Sequence, residues 1–166
     1  MDLSQRESKF VSTVCFTGHR DIPAEVASRL PPLLEQVITE LCGRGAVTFR
    51  AGGAMGFDTV AALKVLDMKE RYPRIRLELI LPCRDQTAGW DEISRKTYQY
   101  IMANADAHRF MFDRYVDGCM LARDRELVRG SDVCVAYCAR SRGGTAYTCA
   151  QALKAGLELI NLNDII

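Results

Sequence analysis

Histidine is nearly absent from this chain, with two in 166 residues, and neither stands at a metal-ligand spacing from a cysteine. That argues against a structural zinc site, and no metal is expected. Cysteine is not scarce, but its seven positions (Cys15, Cys42, Cys83, Cys119, Cys134, Cys138 and Cys149) are odd in number, scattered and free of any CxxC pair. They read as reduced, mostly buried thiols, the usage of a cytoplasmic protein and not of a disulfide framework. An excess of either charge is also missing. The 22 basic residues nearly cancel the 21 acidic ones, so the net charge of +1 carries no chain-wide footprint for nucleic acid or a membrane surface. No apolar run is long enough to span a bilayer. The opening MDLSQRESKF has no apolar core of the kind an export signal carries, so residues 1–11 are expected to be a flexible leader. Catalytic signatures are sparse as well: there is no GxSxG elbow, no HExxH, no P-loop lysine and no complete GxGxxG. No cofactor is expected.

What is present fits one domain over residues 12–166. The apolar fraction is 48%, and a chain of this size buries roughly two-thirds of its unfolded surface. Strand and helix patterns alternate. Ser12 to Thr17 is β-branched and aromatic; Val26, Leu30, Leu33, Leu34, Val37, Ile38 and Leu41 make a helical stripe, with a kink or restart expected at Pro31 and Pro32. Val47 to Arg50 is a second strand, followed by a glycine loop and a helix to about Glu70. Ile75 to Leu81 is a third strand closed by Pro82, Asp91 to Asn104 a helix, and His108 to Phe112 a fourth strand. Met120 to Arg129 is a charged helix with Leu121, Leu127 and Val128 as its buried side. Ser131 to Tyr137, Thr145 to Ala155 and Leu157 to Ile160 complete the series. Such alternation predicts an α/β fold: three layers, Rossmann-like, around a mainly parallel sheet.

In sheets of this kind ligands bind beyond the carboxyl ends of the strands, and the unusual residues of this sequence collect there. After the first strand come Thr17, Gly18, His19 and Arg20; after the second, Gly52, Gly53, Ala54 and Asp58; after the third, Gln86 and Trp90; after the fifth, Arg142, Gly143, Gly144 and Thr145. Each glycine loop opens a helix, whose first amides lack internal partners and whose dipole favours an anion. Two such loops on one edge suggest a phosphate-bearing ligand held from two sides. Alternatives stand beside each assignment. His19 is either a satisfied strand-end histidine or a ligand contact, and Arg20, Arg84 and Arg142 are either solvated charges or phosphate partners. Trp90 either buries its ring or stacks on a base; Asp58 either serves its helix terminus or meets a ribose; Arg123 and Asp124 either pair on a helix face or reach the ligand.

Five ordered stretches together resemble a known family: CFTGHR at 15–20, AGGAMGFDTVAA at 51–62, LPCRDQTAGW at 81–90, ARDRELVRGSDVCVAY at 122–137 and RGGTAYTCAQALKAG at 142–156. They are similar to the YpsA-like branch of the SLOG superfamily, which also holds DprA, the LOG proteins and molybdenum-cofactor carrier-like proteins. The resemblance implies a Rossmann-like fold, a pocket for a nucleotide or nucleotide-sugar-like molecule at the two glycine loops, and assembly as a homodimer. Two departures qualify it. LOG enzymes carry PGGxGTxxE, whereas RGGTAYTCAQ here lacks the further glycine and the glutamate, which counts against phosphoribohydrolase activity. The branch usually has Arg-Asn where this chain has Arg123-Asp124, and an ionised aspartate accepts where an asparagine also donates. A sensor-type nucleotide-binding domain is the leading expectation, with a LOG-type hydrolase and a DprA-like DNA-binding module as alternatives. Nucleic acid and membrane are not expected partners.

Overall fold

A computed structural model describes residues 9–166. The elements are β1 (Thr13–Gly18), α1 (Ala24–Ala27), α2 (Leu30–Gly43), β2 (Thr48–Ala51), α3 (Phe57–Met68), β3 (Arg76–Cys83), α4 (Glu92–Asn104), β4 (Ala107–Phe112), α5 (Cys119–Val128), β5 (Val133–Tyr137), α6 (Gly144–Lys154), β6 (Glu158–Asn161) and a 3-10 turn, Leu162–Asp164. The six strands form one parallel sheet in the order β4-β3-β2-β1-β5-β6. This is the expected Rossmann-like three-layer α/β fold.

The strand periodicity of two divides the core between the sheet's faces. Along β1, Val14 and Phe16 join a large cluster with α2 and α3 residues such as Leu34, Ile38, Ala61 and Val65. Cys15, between them, joins Cys134, Leu127, Cys149 and Ala152 on the face covered by α5 and α6. Cys15 and Cys134 are direct register partners on β1 and β5, both fully buried. The thiol contact between them holds Cys15 below the ordinary thiol range and pushes Cys134 above it. These are packing residues, remote from solvent.

Four boundaries carry physical content. Pro31 and Pro32 fall in the first turn of α2, where no amide donor is needed, so the chain restarts a helix there instead of kinking one. Pro82 does not close β3, which runs on to Cys83; β2 stops pairing with β3 at Leu79, so no ladder bond to β2 is lost at the proline. Leu121 is exposed on α5, and the buried side is instead Cys119, Arg123, Asp124, Leu127 and Val128. Of the leader expected over residues 1–11, residues 1–8 lie outside the described ones. Val11, however, is 1% exposed and donates its amide to the carbonyl of Arg44 at 3.0 Å, so it belongs to the core.

The strand order runs outward from β1 in both directions, to β2 on one side and β5 on the other. Connections leaving β1 and β5 therefore diverge, opening a crevice beyond their carboxyl ends.

Candidate functional site

A cleft of about 320 Å³ occupies that crevice. From β1 it is lined by Phe16, Thr17, Gly18, His19, Arg20 and Asp21, and from the first glycine loop by Ala54 and Asp58. Gln86 follows β3; Met120, Arg123, Asp124 and Leu127 come from α5; Arg140, Arg142, Gly143, Gly144 and Thr145 come from the β5–α6 connection. Sequence reasoning brought most of these together. Gly52, Gly53 and Trp90 are not among the lining residues, and Phe16, Asp21, Met120, Leu127 and Arg140 are lining residues it did not select as site residues. Met120, Arg123, Asp124 and Leu127 stand at i, i+3, i+4 and i+7, so helical spacing counted from Met120 instead of Leu121 carried the signal.

The first glycine loop is filled by the protein itself. A Cβ on Gly52 would meet the Arg123 guanidinium, one on Gly53 would collide with Leu81, and one on Gly56 would collide with the backbone of Arg20. Gly53 and Gly56 also have φ of 74° and 80°, a region that disfavours side chains. The Phe57 amide, first in α3, donates to the carbonyl of His19 at 3.1 Å. Asp58, in the same first turn, supplies a buried carboxylate that accepts from the Ala54 amide at 3.3 Å. Negative charge is already provided at this terminus.

The second loop is open. Gly143 has φ of 103°, and a Cβ there would meet nothing within 4 Å. Among the described residues, the amides of Gly144, Thr145 and Ala146 have no acceptor; the first bond of α6 is Tyr147 N–H to the Gly143 carbonyl at 3.0 Å. Two hydrogen-bonded ties hold the root of this loop. His19 Nε2 accepts from the Ala139 amide at 2.8 Å, and the Asn161 side chain takes both backbone groups of Cys138, at 3.0 and 2.9 Å. His19 also sets its ring edge-on to Tyr137 at 5.4 Å. Burial, followed by the charge of Arg140, lowers the His19 pKa, which suits a ring nitrogen that must stay an acceptor.

Charge is layered through the cleft. Arg20, Arg140 and Arg142 are exposed at its mouth, and Arg20 lies 5.9 Å from the Trp90 ring centroid. Trp90 itself packs edge-on to Tyr98. Deeper down, Asp58, Arg123 and Asp124 are 5%, 6% and 7% exposed. Arg123 donates from Nε to Asp124 Oδ1 at 2.7 Å and from Nη1 to the Gly52 carbonyl. Burial pushes the Asp58 carboxyl up to about 6; Arg123 opposes the rise and the charge of Asp124 adds to it. Arg84 lies outside the cleft, against the Phe110 ring at 4.5 Å and Asp113 at 3.1 Å. Among the described residues no group of three or more acidic, histidine or cysteine side chains is placed to hold a metal, and no helix is long and apolar enough to cross a membrane.

Fold and cleft together define a Rossmann-like domain whose ligand-sized crevice lies at the switch point of a parallel sheet. The YpsA family model, described as the YspA SLOG family, matches residues 24–161, and the chain belongs to that family. A UPF0398 protein of Halalkalibacterium halodurans is 36% identical over 72 residues, which is 43% of this chain and 38% of that protein. One from Bacillus pumilus is 27% identical over 100 residues, 56% of this chain and 54% of the relative. These matches thus span 38% and 54% of the two relatives. Among solved structures, DNA processing protein A of Helicobacter pylori, described for its single-stranded DNA binding mode, superposes with a TM-score of 0.65 at 21% identity, covering 95% of this chain and 67% of that one. DprA of Streptococcus pneumoniae gives 0.66 at 16% identity, covering 90% and 49%. The likeness to these two is one of fold.

Proposed function

We propose that the cleft binds a nucleotide or nucleotide derivative as a sensor-type domain of the cytoplasm, with the ligand's phosphate seated at the start of α6. The observation that carries this reading is the run of unpartnered amides at Gly144, Thr145 and Ala146, the first two of which belong to residues lining a cleft whose mouth bears Arg20, Arg140 and Arg142. Free amides and a helix dipole attract an anion, and guanidinium groups match phosphate geometry. Thr17, Gly18 and His19 shape the facing wall, and a nucleotide-sugar-like molecule is the partner class; a homodimer is the proposed assembly. Calorimetric titration with AMP, ADP and adenosine tests it. Both nucleotides should bind more tightly than the nucleoside, and Arg20→Ala or Arg142→Ala should weaken nucleotide binding by about tenfold, the scale of an exposed charge-assisted contact. Equal affinities for nucleotide and nucleoside would overturn the reading.

A LOG-type hydrolase is the competing enzyme reading, favoured by the buried carboxyl of Asp58, pushed up to about 6 within the cleft. The second glycine loop lacks the acid of the LOG motif, so release of ribose phosphate from AMP is predicted to be absent. A single-stranded nucleic acid in the same seat is suggested by what the Helicobacter pylori protein binds. The net charge of +1 and three carboxylates in the cleft count against it, and a steep loss of oligonucleotide affinity with salt would restore it.

A further inference from the structure

The cysteines fall largely into thiol contacts: Cys15 with Cys134, Cys83 with Cys119, and Cys138 with Cys149. The first two pairs are sealed, all four residues being 0% exposed. The third is not. Cys138 is only partly buried and follows β5 in the basic stretch that leads to Arg140 and Arg142 at the cleft mouth. Two periodicities bring it against α6. Alternation along β5 turns Cys134, Ala136 and then Cys138 to the face that α6 covers, and Cys149 stands on the buried side of α6 with Thr145, Thr148 and Ala152. Burial, then the charge of Cys138 and a hydrogen bond to it, pushes the Cys149 thiol up to about 12. Cys149 is thus the protected member, and Cys138 is the one an oxidant meets first. The Cys138 thiol also holds the loop, because its Sγ–H donates to the Arg140 carbonyl at 3.2 Å. Both backbone groups of Cys138 are fixed by Asn161, so a change at its sulfur is passed to the loop beyond.

We infer that Cys138 and Cys149 form a redox-active dithiol, which hydrogen peroxide converts to a disulfide spanning the cleft loop. The Cys138 sulfur attacks one peroxide oxygen, the O–O bond breaks, and a sulfenic acid forms at Cys138 as one water leaves. The Cys149 sulfur then attacks the Cys138 sulfur, the S–O bond breaks, and the hydroxyl leaves with the Cys149 proton as a second water. The two thiols give up two electrons, and the peroxide is reduced to two waters. A disulfide has no proton to offer the Arg140 carbonyl, so the loop loses that tie and phosphate binds less well at α6. This consequence, unlike the dithiol itself, rests on the phosphate seat proposed above. In a reducing compartment such a bond is a transient signal and not a permanent staple.

The test treats the reduced full chain with hydrogen peroxide, alkylates the remaining thiols and maps the peptides by mass spectrometry. A link between Cys138 and Cys149 that dithiothreitol reverses is the expected result, with Cys15, Cys134, Cys83 and Cys119 left unlinked. In Cys149→Ala, checked for cooperative unfolding, dimedone should trap a sulfenic acid at Cys138; should that variant not fold, the map of the unaltered chain decides alone. Calorimetric titration of the same samples with inorganic phosphate should show affinity falling by at least about threefold on oxidation, the scale of one lost hydrogen bond, and returning on reduction. Absence of the link, or links at the sealed pairs in its place, would overturn the dithiol. A link that leaves phosphate affinity unchanged would overturn its control of the seat. If the reduced chain binds no phosphate, the seat and that control fall together, while the mapped link still decides the dithiol.

Discussion

The two glycine loops look alike in sequence and differ in what surrounds them. In AGGAMGFD every space left by a missing side chain at Gly52, Gly53 and Gly56 is taken up by Arg123, Leu81 or the Arg20 backbone. In RGGT the corresponding space at Gly143 is empty, and the helix amides beyond it have no acceptor. A paired glycine at a helix start thus marks close approach of something, and only the neighbours decide whether that is the protein or a ligand. Here the first loop is a packing device that anchors Arg123 through the Gly52 carbonyl and places Asp58 in the cleft, and the second is the proposed anion seat.

That contrast predicts opposite consequences for similar substitutions. Gly56→Ala combines positive φ with a collision against backbone, so chemical denaturation should show a loss on the order of 3 kcal/mol or more. Gly144→Ala, at a helical residue with room for a methyl, should change stability by less than about 0.5 kcal/mol. Comparable losses from both would erase the distinction.

Arginines should divide in the same way. Arg123→Met leaves Asp124 buried without its donor and the Gly52 carbonyl with only a long bond from Gln86 Nε2 at 3.4 Å, and about 3–5 kcal/mol of stability should be lost. Arg142→Ala should leave the unfolding midpoint unmoved and register only in nucleotide affinity.

Asp58 offers a pH-resolved version of the comparison. Its carboxyl titrates at about 6 in the fold against an ordinary value of 3.8. Between those values the unfolded chain has released the proton and the folded chain still holds it, so stability falls as pH rises through about 6. About 3 kcal/mol is forgone above that pH. Asp58→Asn, which still accepts from Ala54, should raise stability above about pH 7 by on the order of 1–3 kcal/mol and flatten its decline between about pH 4 and 6. A variant no more stable than wild type at high pH would show that Asp58 is not held at a cost for function.

The fold was legible because the chain alternates strand and helix patterns and places its glycine and proline punctuation where elements end. Pro82 and Leu121 were misleading for definable reasons. Proline in a strand is harmless where one neighbour has already stopped pairing, and a leucine at the wrong helical phase is exposed whatever its hydrophobicity. Within the cleft, Asp58 and Arg142 could be picked out because charge stood beside glycine loops at strand ends, whereas Arg123, on a helix dense in charge, was marked by the family resemblance. What the sequence does not contain is the partner of each group. Nothing in FRAGGAMG says that Gly52 lies under a guanidinium seventy-one positions later, or that Ala139 donates to His19 across the switch point.

The central claim, that the α6 terminus and not the α3 terminus receives the anion, is tested most directly by amide chemical shifts during titration with inorganic phosphate. Saturable shifts at Gly144, Thr145 and Ala146, with Phe57 and Asp58 nearly still, are the predicted result. Shifts concentrated at Phe57, Asp58 and Thr59, with the α6 amides unmoved, would contradict it.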